Sequence, residues 1–319
     1  MSAVGVEVEP RTATAEPSPP GLGRRFRAWA RNPWGKARFL WVVGIAYVAW
    51  TLLPVAEAVL FSFNKGRSIT QWEGFSLRWY VWDPTGSFLH DPALQHAVIQ
   101  SLKLASLTVL VTLPLGVAFA LALHGRRGPA TSTQNFLMMF SFVVPELILA
   151  VSLFLLVINA FRFIGLGTEA QVIGLVVLAV AYPVVIVRAR LLSLGSTYEE
   201  AAADLGASPM RTLTRVTLPL LGPSIFASGA IVFAFVLDDF VIVNQLSKDA
   251  STQTVAMAIY GAARTAPTPA TNAIGTLMLV TSTIVIVLAV VVQRRMARRT
   301  AAPALLGVAS QASDSIEGS

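Results

Sequence analysis

Cysteine is absent from all 319 residues, so neither a disulfide nor a thiolate metal site is open to this chain. Histidine is nearly absent, and His90, His96 and His124 stand apart, none at ligand spacing from another metal-binding side chain. Charge is scarce as well. Only 13% of residues are Asp, Glu, Lys or Arg, about half of the ordinary share in a soluble protein. A nucleotide-binding loop is missing, because Gly35-Lys36 is followed by Ala37 and Ala30 stands where the first glycine belongs. No convergent set of nucleophile, base and acid takes its place. The chain is therefore read as no enzyme, with no metal or cofactor of its own.

What is present is apolar. Hydrophobic residues make up 55% of the chain, and the mean hydropathy is +0.66. A soluble domain of this length lacks the interior to bury that much apolar surface. Runs of roughly 20 apolar residues occur at about 39–61, 98–123, 135–160, 170–187, 218–243 and 273–293. Leu104 to Leu123, Val216 to Leu237 and Thr265 to Gln293 contain no charged residue at all. The predicted fold is all-α, a polytopic membrane bundle of six transmembrane helices.

Lysine and arginine give the orientation. Seventeen lie in the N-terminal stretch, in the loops after the second and fourth spans and in the C-terminal tail, against six in the opposite loops. Both termini are therefore expected in the cytoplasm of a cell-membrane protein. The net charge of +7 is then a topology signal and not a nucleic-acid footprint. Residues 1–38 read as a basic, largely disordered tail, 39–295 as the membrane domain, and 296–319 as a second disordered tail. No cleavable signal fits, since the first apolar run is of full spanning length. The outer loop 64–97 has room for a short amphipathic element over Trp72, Trp79, Tyr80 and Trp82, whose ordinary role is interfacial anchoring.

The loop after the fourth span is the most informative segment. Ser196-x-x-Glu199 and Thr197-x-x-Glu200 both fit a capping box, Ala201 to Ala203 continue a helix, and Gly206 is a stop. Ser208-Pro209 then suits N-cap and N1 of a second short helix that reaches Leu218-Pro219, where the fifth span begins. Glu200-Ala201-Ala202, Gly206, Val216 and Leu218-Pro219 resemble the EAA loop of ABC-importer permeases, EAA-x3-G-x9-I-x-LP, with Val for Ile as the one departure. The resemblance implies a type I importer permease architecture in which the loop at 196–219 docks on a separate ATPase. It assigns coupling to Glu199, Glu200, Ala201, Ala202, Gly206, Leu218 and Pro219. It also implies the partners: a second permease subunit (another chain or a second copy), two cytoplasmic ATPase subunits and an extracytoplasmic substrate-binding protein.

Five charges fall inside the six spans: Glu57, Lys103, Glu146, Asp238 and Asp239. Each costs at least ~2.5–3.5 kcal/mol in hydrocarbon, so each needs a cavity or a partner. Glu57, Glu146, Asp238 and Asp239 are the candidate substrate path, and an acidic path suits a cation. Lys103 can pair with one of the acids. Neighbours on a helix point ~100° apart, so Asp238 and Asp239 cannot both line one path. Pro145 removes a backbone donor and can kink the third span at Glu146. Pro145-Glu146, Asp238-Asp239-Phe240-Val241-Ile242-Val243 and Asn272-Ala273-Ile274-Gly275-Thr276 together resemble the C-type permease of spermidine/putrescine importers. The implied cargo is a polyamine. A permease for ferric iron, thiamine, a phosphonate or an opine-like compound is the alternative, and an autonomous secondary transporter is a further one, although no internal repeat supports it.

Overall fold

The computed structural model describes residues 38–84, 86–87, 89–124, 143–265 and 268–317, with side chains between 40 and 295. The chain divides into a compact unit up to Ala56 and a second from Glu57 to Ser319. The first contributes most of α1, Arg38–Phe61. In the second follow α2 (Pro92–Leu123), α3 (Glu146–Asn159), α4 (Thr168–Ala179) and α5 (Ala181–Leu194). They are succeeded by α6 (Thr197–Asp204), α7 (Pro209–Thr212), α8 (Leu218–Asp238), α9 (Val241–Gln245), α10 (Val255–Thr265) and α11 (Pro269–Glu317). Among the described residues there is no strand, only an isolated bridge between Asn64 and Phe75.

Five helical runs are long and apolar enough to cross a membrane: 40–61, 92–123, 168–194, 209–238 and 269–295. The third expected span differs. Its described part, α3, has 14 residues and is about 21 Å long, short of the ~30 Å hydrocarbon core. Residues 135–142 of that span lie outside the described residues, as does the expected N-terminal tail apart from Arg38. The fifth span ends at Asp238 rather than at 243, because Asp239 is extended at φ −64° and ψ 124°. The backbone of α11 continues as helix to Glu317, through the segment from 296 that composition reads as a disordered tail.

Local sequence accounts for several boundaries. The Asp91 carboxylate accepts the amides of Ala93 and Leu94 at 2.9 and 3.3 Å, and Pro92 fills the first helical position of α2. Pro145 does not kink a continuing helix but starts one: its carbonyl accepts the amides of Ile148 and Leu149, and Glu146 opens α3. The outer segment 62–91 is organised around buried Asn64. Its amide donates to the carbonyls of Ser68 and Gln71 at 2.8 Å, and its backbone carbonyl accepts the Trp79 indole N–H at 2.7 Å. Trp79 lies in the π-helical turn Arg78–Trp82 and is only 5% exposed, packed on Ala270 and Ala273. It is a core residue and not an interfacial anchor; Trp72 and Trp82 remain exposed.

Within this second unit α8 packs on α2, α5 and α11, and α2 packs on α4 and α5. One core cluster joins Leu104 of α2, Ala150 of α3, Leu175 of α4, Val232 and Val236 of α8 and Ile242 of α9. A second joins Ala120, Val187, Leu191 and Leu221 nearer the other end of α8. Small residues set the close approaches, as packing without a hydrophobic drive between helices requires. At Gly116 of α2 a Cβ would run into the Pro183 ring of α5. Gly116→Leu therefore overpacks the α2–α5 seam and should cost ~1–3 kcal/mol. A lowered melting temperature of the detergent-purified chain is expected, with Gly261→Ala as control, since a Cβ there meets nothing within 4 Å. An unchanged melting temperature for Gly116→Leu would refute the seam.

Candidate functional site

Two sites stand at opposite ends of one helical run. The first is the 196–219 loop. Gly206 has φ +74°, a conformation that side chains with a Cβ rarely adopt. Its amide donates to the Ala203 carbonyl at 2.8 Å and the Ala207 amide to the Ala202 carbonyl at 3.0 Å, the Schellman arrangement that closes α6. The expected capping boxes do not form. No side-chain cap is present at Ser196 or Ser208; instead the Ser196 carbonyl accepts the amides of Glu199 and Glu200. Glu199 is turned elsewhere, with its Oε1 accepting the Thr217 hydroxyl at 3.3 Å.

That bond ties α6 to the next element. α7, the π-helical turn Leu213–Thr217 and α8 follow without a break, so Leu218-Pro219 lies within a continuous run of 30 residues, about 45 Å long. The second short helix expected before the fifth span is thus the start of that run. Ala202 is buried, whereas Glu200, Ala201, Tyr198, Leu205 and Met210 are exposed. Leu205 is 89% and Met210 69% exposed, an apolar pair flanking the Gly206 turn.

The second site is at the far end, where Asp238 closes α8. Asp239 is 5% exposed, and its Oδ1 accepts the Val243 amide at 3.1 Å, which caps α9. Its Oδ2 is buried and receives no hydrogen-bond donor. The carboxyl of Glu146 stands within hydrogen-bonding reach of it. Both acids sit where a helix begins, so the free amides and the dipole of a helix start offset part of each charge. Asp238, Glu57 and Lys103 are exposed. The structure thus brings together two of the four candidate path acids, Glu146 and Asp239, and leaves the other two exposed.

Two residues that charge counting passes over hold this site in place. Gln171 of α4 is fully buried, and its amide donates to the carbonyls of Val243 at 2.9 Å and Thr252 at 3.1 Å. Its oxygen accepts Gln100 of α2 at 3.3 Å, and Gln100 also donates to the Thr168 hydroxyl at 2.9 Å. Ser101 accepts the Val255 amide at 3.0 Å, and the Leu246 carbonyl accepts the Gly167 amide at 2.9 Å. The signal in the sequence was an uncharged amide in each of two apolar runs.

Residues 99–299 match the family described as "Binding-protein-dependent transport system inner membrane component". The putrescine transport system permease protein PotI of Escherichia coli K12 is 32% identical over 247 residues, covering 75% of this chain and 85% of its own length. The spermidine/putrescine transport system permease protein PotC of Haemophilus influenzae is 31% identical over 252 residues, covering 77% and 93%. The fold is similar to that of a bacterial ABC transporter involved in alginate import, with a TM-score of 0.64 at 17% identity over 85% of this chain and 99% of that one. It also resembles the MetNI methionine ABC transporter in an inward-facing conformation, at a TM-score of 0.52 and 17% identity over 63% and 93%. The chain belongs to the family of binding-protein-dependent transport system inner membrane components, the permease subunits of ABC importers.

Proposed function

We propose that this permease carries a polyamine, putrescine or spermidine, and that its 196–219 loop couples that passage to a separate ATPase. The observation that carries the cargo reading is the buried Asp239 carboxylate beside Glu146, with an oxygen that no donor satisfies. Two facing carboxylates in a low-dielectric site repel unless a cation or a proton lies between them. A primary ammonium supplies the positive charge together with three donors. The relatives named for putrescine and spermidine/putrescine transport support the same cargo.

In this reading both termini and the 196–219 loop face the cytoplasm, and the acid pair lies toward the outer side. The partners are a second permease subunit, two ATPase subunits and an extracytoplasmic binding protein that delivers the cargo. The exposed Glu200, Tyr198, Leu205 and Met210 form the docking face for the ATPase. When the ATPase dimer closes, α6 moves with it. The Glu199–Thr217 bond passes that movement to the rod Pro209–Asp238, whose far end carries Asp239. The acid pair then opens toward the outside, and release of the nucleotide returns it. Access alternates between discrete states because packed helices rearrange in steps.

Two outcomes test the proposal. Gly206→Val forces a β-branched residue to φ +74°, at ~1–3 kcal/mol, and misplaces α6. In the assembled importer this variant, or Glu200→Lys, is expected to retain membrane insertion and to lose ATP-driven uptake by tenfold or more. Normal uptake would sink the coupling assignment. Asp239→Asn and Glu146→Gln are each expected to lower putrescine and spermidine uptake by about tenfold, the size of one charge-assisted bond lost. Undiminished uptake in both would point to another cargo or another path.

A further inference from the structure

Two threonines inside the bundle take no part in either site. Thr51, Thr214, Thr265, Thr276 and Thr281 each donate the hydroxyl to the carbonyl four residues back, the ordinary resort of a threonine in a helix. Thr108 and Thr112 of α2 are fully buried, and neither hydroxyl has a hydrogen-bond partner. What lies against them follows from the register of the helices. Gln100 of α2 bonds Thr168 at the start of α4, a Cβ on Gly116 would meet the Pro183 ring of α5, and Ala120 shares a core cluster with Val187. α2 and the α4–α5 run are therefore parallel. One turn before Gly116 and Pro183, the same seam brings Thr112 level with Ala179, and a turn earlier Thr108 with Leu175.

At that level the fourth span is broken. α4 ends at Ala179 and α5 begins at Ala181. Pro183 has no N–H to give the Ala179 carbonyl four residues back, and across the break the Val184 amide reaches the Val180 carbonyl only at 3.4 Å. Ala179 is itself fully buried. A freed carbonyl and two unpartnered hydroxyls thus share one seam. We propose that Thr108, Thr112 and the Ala179 carbonyl hold buried water, and that this hydrated break is the pivot of α5. Water fits where a metal ion does not, because the oxygens are neutral and the hydroxyl protons need an acceptor that a cation lacks. A bridging water keeps the freed groups paired and exchanges partners as the helices tilt. α5 runs into the Gly195 turn, at φ +65°, and then into α6, so a swing about Val180 carries α6 with it. The pivot rests on the coupling reading of α6; the water does not.

Hydroxyl-radical labelling in a synchrotron beam, read by mass spectrometry, tests for water beside buried side chains. In the detergent-purified chain Pro183 and Val184 are expected to be labelled although buried, while Val187 and Leu191, equally buried in the second cluster, are not. The double variant Thr108→Val, Thr112→Val should lose that labelling. Thr112→Val alone keeps the shape and removes the hydroxyl, and is expected to lower the melting temperature by about 2–4 °C. A hydroxyl without water gives the opposite sign, since its removal relieves an unpaired buried group. Pro183→Ala restores a donor for the Ala179 carbonyl, so in that background Thr112→Val should have about half of that effect or less. Absent labelling at Pro183 and Val184, or a melting temperature unchanged or raised in Thr112→Val, overturns the water. The pivot is tested in the assembled importer, where Pro183→Ala is expected to fold, to insert and to lower ATP-driven uptake severalfold. Undiminished uptake there overturns the pivot and leaves the water standing. Normal uptake in Gly206→Val would remove the coupling reading and the pivot with it, but not the water.

Discussion

The Gln171 side chain satisfies the constraint on which the acid end of this bundle depends. A chain that breaks its helices among apolar neighbours strands backbone carbonyls and amides, each worth several kcal/mol if left unpaired in hydrocarbon. Here α8 stops at Asp238, and the chain runs through a short helix and a 3-10 turn before α10 begins. Gln171 answers two of the stranded carbonyls, those of Val243 and Thr252, with one amide group. Its own oxygen is met by Gln100. Without that closure Asp239 would have no fixed place, because the short helix it caps at Val243 is the one Gln171 holds at its carbonyl.

The same logic separates the two ends of the long helical run. At Gly206 the break is designed to be tight: a Schellman closure and a positive φ leave no stranded group and a defined angle between α6 and α7. At Asp239 the break is held from outside, by side chains of α2 and α4. Between them the rod is interrupted only by the π-helical turn Leu213–Thr217, where the hydrogen-bond register slips by one residue. Thr217, the last residue of that turn, is the one Glu199 grips. On the proposed reading a displacement of α6 therefore enters the rod at its locally altered turn and leaves it at the carboxylate that faces Glu146.

Much of this was legible from the sequence, and the misses share a cause. Apolar runs and the glycine at 206 carry their own geometry, since hydrocarbon length and a left-handed backbone conformation are properties of residue type. The loop spacing from Glu200 to Pro219 likewise marks a segment without reference to its neighbours. The capping boxes failed because a carboxylate chooses among all donors within reach, and Thr217, distant in sequence, offered one to Glu199. Trp79 went to the core for the same reason: Asn64 supplied an acceptor for its indole, which an exposed tryptophan takes from water or headgroups. Gln100 and Gln171 escaped a search for formal charges, although a buried amide with four hydrogen-bonding demands constrains a bundle as strongly as many ions.

The pairing of Glu146 with Asp239 follows from where the helices break. Both acids occupy the first residues after a loss of helical hydrogen bonding, Glu146 behind Pro145 and Asp239 behind the end of α8. Free amides at such points attract carboxylates, so each acid has a local reason for its position that owes nothing to the other. Their convergence needs a further cause, since packing α9 against α3 and α4 sets two negative groups face to face. Local capping alone would be served better by asparagine or serine, which cap without charge. Retaining two ionisable groups at that cost makes sense where a positive charge passes between them, and a fixed internal base such as lysine would fill the gap permanently.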